Sequence, residues 1–172
     1  MHTRRNILRA GGAAIFAGLA TPALANVNPS RALAFDNLHT GEKLAITYWQ
    51  DGSYVQDALT DINHVLRDHR NNEVHVIDPK LLDLINLLHR ELGSAQPFEV
   101  ISGYRSPATN AAMHERSAGV AAHSLHMQGM AIDIRLADTK LTTLHEAALD
   151  MRAGGVGFYP SLDFVHVDVG RV

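Results

Sequence analysis

The chain has no cysteine among its 172 residues. That excludes disulfide bridges, thiolate metal sites and a lipid anchor on a lipobox thiol. It also lacks an unbroken apolar run of the roughly 20 residues that a membrane-spanning helix needs. There is no HExxH motif, no internal repeat and no low-complexity linker. Positive charge is scarce as well, with 15 Lys+Arg against 18 Asp+Glu. Three of those arginines, Arg4, Arg5 and Arg9, fall in the opening "MHTRRNILRAGGAAIFAGLATPALA". A basic start, a short Gly-rich apolar stretch interrupted by Pro22, and an A-x-A site at Ala23-Leu24-Ala25 have the layout of a secretory signal. Arg4-Arg5 followed by Asn6, Ile7 and Leu8 matches a twin-arginine export signal.

Residues 1–25 are therefore expected to be a cleaved leader, and residues 26–172 one exported, periplasmic domain with enough chain for a real core. The leader holds three arginines and no acid, so that domain keeps 12 Lys+Arg against 18 Asp+Glu, a balance of −6. An acidic domain lacks the basic face that nucleic acid requires. Without sulfur ligands, any metal must be held by histidine, aspartate or glutamate.

Residues 26–40 lack clear periodicity and read as an entry into the fold. "EKLAITYW" (42–49) alternates and precedes Asp51-Gly52, which predicts an edge strand or a hairpin. Helical spacing of Val55, Ala58, Leu59, Ile62, Val65 and Leu66 predicts a helix over 54–70. A second helix has Asp78 as cap, Pro79 in the first turn, the stripe Leu81, Leu84, Ile85, Leu88 and Leu92, and Gly93 as its stop. "FEVISGY" (98–104) reads as a strand, 106–115 as a short helix begun by Ser106-Pro107, and "AIDIRL" (131–136) as a strand. A helix over 141–155 ends at Gly154-Gly155, and two strands joined by "SLD" close the chain. Interleaved helices and strands of this kind predict an α+β fold, with a small antiparallel sheet and helices packed on one face.

The pleat then points to a site. One face of 131–136 carries Ile132, Ile134 and Leu136; the other carries Ala131, Asp133 and Arg135. In 164–169 one face carries Val165, Val167 and Val169; the other carries Phe164, His166 and Asp168. If both apolar faces pack on the same helices, Asp133 and His166 share the opposite surface. His126, in the loop before the first of these strands, can lean over it. Aspartate is depleted in strands, and a half-buried carboxylate needs a partner or a cation. Two imidazoles and a carboxylate suit one zinc ion per chain, and three ligands leave an open coordination position. His123, three residues before His126, is the rival ligand and reads as a solvated loop residue.

The stretches "SGYRS" (102–106), "SLHMQGMAID" (124–133) and "GGVGFYPSLDFVHVDVG" (154–170), in this order, resemble the zinc D-Ala-D-Ala peptidases, and more closely the murein endopeptidase K-like family with its twin-arginine-exported members. The resemblance implies the Hedgehog/D-Ala-D-Ala-peptidase-like fold, zinc on His126, Asp133 and His166, and peptidoglycan stem peptides as substrate. It also implies that Arg105 holds substrate near the metal, as a guanidinium fork suits a carboxylate or a polarised carbonyl. Ser124 either orients substrate or caps the loop, and Gly129 and Ala131 make space for close backbone approach. The general base is preferred at Asp163, from an acidic-x-x-His pattern; Asp168 is the alternative base, or the residue that orients His166. The expected activity is hydrolysis of peptide cross-links by a zinc endopeptidase. A D,D-carboxypeptidase, or a non-catalytic zinc-holding wall-binding module, are the alternatives.

Overall fold

The computed structural model describes residues 30–116 and 119–171; the leader expected over 1–25 lies outside them. Seven strands run β1 (Arg31–Asn37), β2 (Lys43–Gln50), β3 (Ser53–Tyr54), β4 (Phe98–Ser102), β5 (Ala131–Arg135), β6 (Val156–Tyr159) and β7 (Phe164–Asp168). Four helices accompany them: α1 (Gln56–Val65), α2 (Pro79–Leu92), α3 (Pro107–Arg116) and α4 (Leu141–Met151). The strands form one sheet in the order β3-β2-β1-β4-β5-β7-β6. The α+β expectation holds. The sheet is larger than expected, and one neighbour pair, β1 with β4, is parallel.

β1 corrects the reading of residues 26–40 as aperiodic. Leu33, Phe35 and Asn37 are buried, while Ala32 and Ala34 take the other face. The alternation there is one of side-chain size rather than polarity, so an apolar-polar pattern does not reveal it. After β2, Asp51 and Gly52 both take positive φ and close the hairpin to β3, as the backbone twist of tight hairpins demands.

α2 is built as its sequence dictates. The Asp78 side chain accepts from the Lys80 N–H, Pro79 opens the first turn, and Gly93 ends the helix in the left-handed conformation. Leu81, Ile85 and Leu88 are fully buried, each worth about 1.5–3 kcal/mol relative to exposure. Two helix boundaries differ from expectation. α1 stops at Val65 rather than near 70, because the chain turns there and Asp68 bridges to Glu73. α4 ends where Arg152 adopts the left-handed conformation, before Gly154-Gly155.

Leu33, Phe35, Val100, Ile132, Ile134, Val165 and Val167 form one core cluster with buried residues of α1, α2 and α4. On the edge of this layer Asp83 of α2 receives Arg31 at 2.6 Å, the Tyr48 hydroxyl at 3.0 Å and the Tyr54 hydroxyl at 2.9 Å. One carboxylate thereby fastens three strands to the helix. α1, α2 and α4 cover one face of the sheet, and the opposite face of β5 and β7 is left for other work. No helix among the described residues is long and apolar enough to cross a membrane.

Candidate metal centre

β5 and β7 pair antiparallel with Asp133 directly opposite His166 and Ile134 opposite Val165. With the valines and isoleucines committed to the core, the pleat turns Asp133 and His166 to the other face together. His126 arrives from a short 3₁₀ turn, Leu125–Gln128, that precedes β5. Ser124 caps this turn by accepting from the His126 N–H, and Gly129 ends it at φ +66°. A Cβ on Gly129 would lie 2.1 Å from the Val76 carbonyl oxygen, so only glycine lets the turn lie this close to the loop before α2.

The three side chains converge. His126 Nε2 lies 3.2 Å from His166 Nδ1 and 3.3 Å from Asp133 Oδ1, and His166 Nδ1 is 2.8 Å from the same oxygen. Both imidazoles have their other nitrogen occupied. His126 Nδ1 donates to the Gly103 carbonyl at 2.7 Å, and His166 Nε2 donates to Asp168 Oδ2 at 3.2 Å. The inward atoms are therefore two nitrogen lone pairs and a carboxylate oxygen, three acceptors facing one another. Such a set calls for a cation. A tetrahedral ion with bonds of about 2.0–2.2 Å has ligand–ligand edges of roughly 3.3–3.6 Å, and the observed triangle is close to that size. Among the described residues these three are the group able to hold a metal, and the donor set fits zinc.

Charge at the cluster follows from its surroundings. Burial alone would raise the Asp133 carboxyl, but the facing His126 and His166 reverse this and hold it below the ordinary carboxylate range. Burial would lower His166, yet the adjacent carboxylates, Asp133 first and then Asp168, raise it above the ordinary imidazole value. Asp168 is itself pinned, since its Oδ1 accepts from the Gly155 N–H at 2.9 Å and the Gly170 N–H at 2.8 Å.

The cluster lies in a cavity of about 610 Å³. Arg105, buried in its wall, places Nη2 3.8 Å from Asp133 Oδ2 and Nη1 3.4 Å from Asn110 Oδ1. Burial lowers the Arg105 pKa, and among the described residues its Nε has no hydrogen-bond partner; nor does the Ser102 hydroxyl, buried in the same wall. Ser124, Asp168 and the exposed His123 line the cavity too. Asp163 is not brought to the cluster. It sits at φ +57° in the turn before β7, its side chain 63% exposed and ion-paired with Arg135, which also binds Glu99 at 2.5 Å. Sequence reasoning missed Ser102, His39, Arg70 and Tyr159 as cavity residues. They come from four separated segments, and no spacing links them.

The family model described as "Peptidoglycan L,D-endopeptidase MepK" (Peptidase_M15_2) matches residues 25–172. The chain is 44% identical over 170 residues to the peptidoglycan L,D-endopeptidase MepK of Escherichia coli K12, covering 97% of this chain and 93% of the relative. It is 38% identical over 151 residues to the probable peptidoglycan L,D-endopeptidase MepK of Haemophilus influenzae, covering 87% and 81%. No solved structure matches.

Proposed function

This chain belongs to the peptidoglycan L,D-endopeptidase MepK family, and from that premise we propose that it is a zinc-dependent murein endopeptidase, exported to the periplasm, that hydrolyses peptide cross-links. The observation that carries the reading is the triangle of inward-facing acceptors on His126, Asp133 and His166 at the wall of an open cavity. When bound there, zinc supplies a Lewis acid for the scissile carbonyl and a water acidified to a pKa of about 7.

The protein's own groups do the rest. Asp133 provides the one anionic ligand, and the Gly103 carbonyl holds the His126 ring with its Nε2 lone pair inward. Asp168 keeps the proton of His166 on Nε2, which leaves Nδ1 free to bind metal and strengthens it as a ligand. Arg105 offers a buried guanidinium beside the cluster, suited to hold a substrate carbonyl or carboxylate and to stabilise charge that develops on the carbonyl oxygen. The leader over residues 1–25 fits delivery to the wall by the twin-arginine route.

The test is hydrolysis of defined muropeptide dimers, beginning with L,D-linked ones, followed by mass spectrometry. Monomers are expected with zinc and none after chelation; no turnover of any cross-link type in zinc would overturn the reading. Release of free alanine from pentapeptide without dimer cleavage would mark a carboxypeptidase instead.

The two aspartates on either side of His166 are expected to behave differently. Asp168→Ala frees the His166 ring and should lower the hydrolysis rate about 10–100-fold. Asp163→Ala breaks an exposed ion pair, worth about 0–1 kcal/mol of stability, and should change the rate only a few-fold. Initial rates at saturating zinc decide. A far larger loss at Asp163 would assign the general base to that residue, reached by a swing of the β6–β7 turn.

A further inference from the structure

Two arginines face the cavity. Arg70 and Arg105 line it together with two carboxylates, Asp133 and Asp168, so the formal charges balance and the preference for an anion turns on how those carboxylates are engaged. Both carboxylates are engaged by histidine. The two arginines also repel each other: after burial and the opposing pull of Asp133, the charge on Arg70 is the next cause acting on Arg105, and it lowers that group.

Arg70 sits in the loop after α1. Its backbone N–H donates to Asp68 Oδ1 at 3.1 Å, but its guanidinium makes no hydrogen bond among the described residues. The nearest carboxylate to that guanidinium is Asp68 Oδ1, at 3.8 Å, too far for a hydrogen bond. Asp68 is moreover already committed to the Ser106 N–H at 3.0 Å. The Arg70 side chain is 37% exposed. Beside it His39, also on the cavity wall, stacks on His69 with ring centroids 3.9 Å apart and planes 12° apart. Burial, then Arg70 and His39, lower His69 to about 4, so His69 is neutral near pH 7 and adds no charge to that of Arg70.

An arginine with its donors free, facing a cavity beside a second arginine, suits an anion with paired oxygens. Peptides cross-linked through a diamino dicarboxylic acid, or containing a glutamate linked through its side chain, keep free carboxylates near the scissile amide. We propose that Arg70 binds a free carboxylate of the stem peptide and so selects acidic cross-links over amidated ones. This rests on the endopeptidase reading for the identity of the substrate, though not for the presence of an anion site.

The experiment has two arms, each comparing wild type, Arg70→Gln and Arg70→Lys after thermal midpoints confirm folding. In the first, zinc-loaded protein hydrolyses a dimer with free carboxylates and the same dimer with them amidated. Wild type is expected to prefer the free dimer about ten- to a hundredfold in kcat/KM, mainly through KM, as loss of charged hydrogen bonds implies. Arg70→Gln should shrink the preference to about twofold, and Arg70→Lys, with charge but no fork, should fall between. In the second arm, chelated protein is titrated calorimetrically with the uncross-linked tetrapeptide in free and amidated forms, with the same ranking expected in Kd. A wild type indifferent to amidation, or a preference that survives in Arg70→Gln, overturns the proposal. Carboxylate-dependent binding that needs Arg70, without hydrolysis of either dimer, would sink the endopeptidase reading and leave the anion site standing.

Discussion

Asp133→Asn is expected to strip the protein of zinc and to lower muropeptide hydrolysis by at least about 10³-fold, a loss of about 4 kcal/mol at tenfold per 1.4 kcal/mol. The amide keeps the shape of the carboxylate and removes its charge. What remains facing the ion is then two imidazole nitrogens and an uncharged amide. Asp168 cannot substitute, because its oxygens are held by the Gly155 and Gly170 N–H groups and by His166 Nε2. On the zinc-endopeptidase reading, the Lewis acid would be worth several kcal/mol of transition-state stabilisation, which the variant would forfeit. The fold should survive, since Ile132 and Ile134 keep their places in the core on the other face of β5. Elemental analysis after dialysis and product analysis by mass spectrometry check both halves. A variant that holds a full complement of zinc and cleaves at the wild-type rate would remove Asp133 from the metal centre.

Gly129→Ala should destabilise the protein by about 2–5 kcal/mol, read from denaturant midpoints. A left-handed alanine costs about 1–2 kcal/mol. Its Cβ would also meet the Val76 carbonyl oxygen at 2.1 Å, and forcing a methyl into filled space adds about 1–3 kcal/mol. The clash falls on backbone, which cannot rotate away. It would strain the bond from the Asp78 N–H to the Gly129 carbonyl, 2.9 Å long, that ties the start of α2 to the His126 turn. Zinc affinity should fall with stability for that reason. Gly93→Ala is the matched comparison. Gly93 has a similar φ, +61°, but nothing within 4 Å of its would-be Cβ, so only the left-handed cost of about 1–2 kcal/mol applies. Equal losses in the two variants would show that the contact with Val76 has no weight.

The convergence of Asp133 and His166 was legible in the sequence because a strand's side chains alternate with period two, and β5 and β7 obey that rule without interruption. Asp133 amid Ala131, Ile132 and Ile134, and His166 amid Val165 and Val167, are polar exceptions whose direction the pleat fixes. α2 was legible for a similar reason, with cap, proline, stripe and stop glycine all agreeing. β1 was not, since Ala32 and Ala34 mask the alternation of Leu33 and Phe35. Asp163 shows a different limit. A three-residue offset from His166 leaves its direction to the turn, and Arg135, two residues beyond Asp133, is what the turn meets. The rest of the cavity wall was illegible in principle. Arg70 and His39 reach it from the loop after α1 and from the β1–β2 turn, and only tertiary packing brings those segments beside Arg105.

β5 and β7 each serve two masters on alternate residues, and the pairing of Asp133 with His166 locks both duties to one alignment. A single-residue insertion or deletion inside either strand would invert every side chain beyond it. Carboxylate and imidazole would plunge among the aliphatics while isoleucine and valine surfaced in the groove, so assembly and chemistry would fail in one stroke. Length variation among natural versions of this domain should therefore avoid these two strands and gather in the bends that join them to their neighbours.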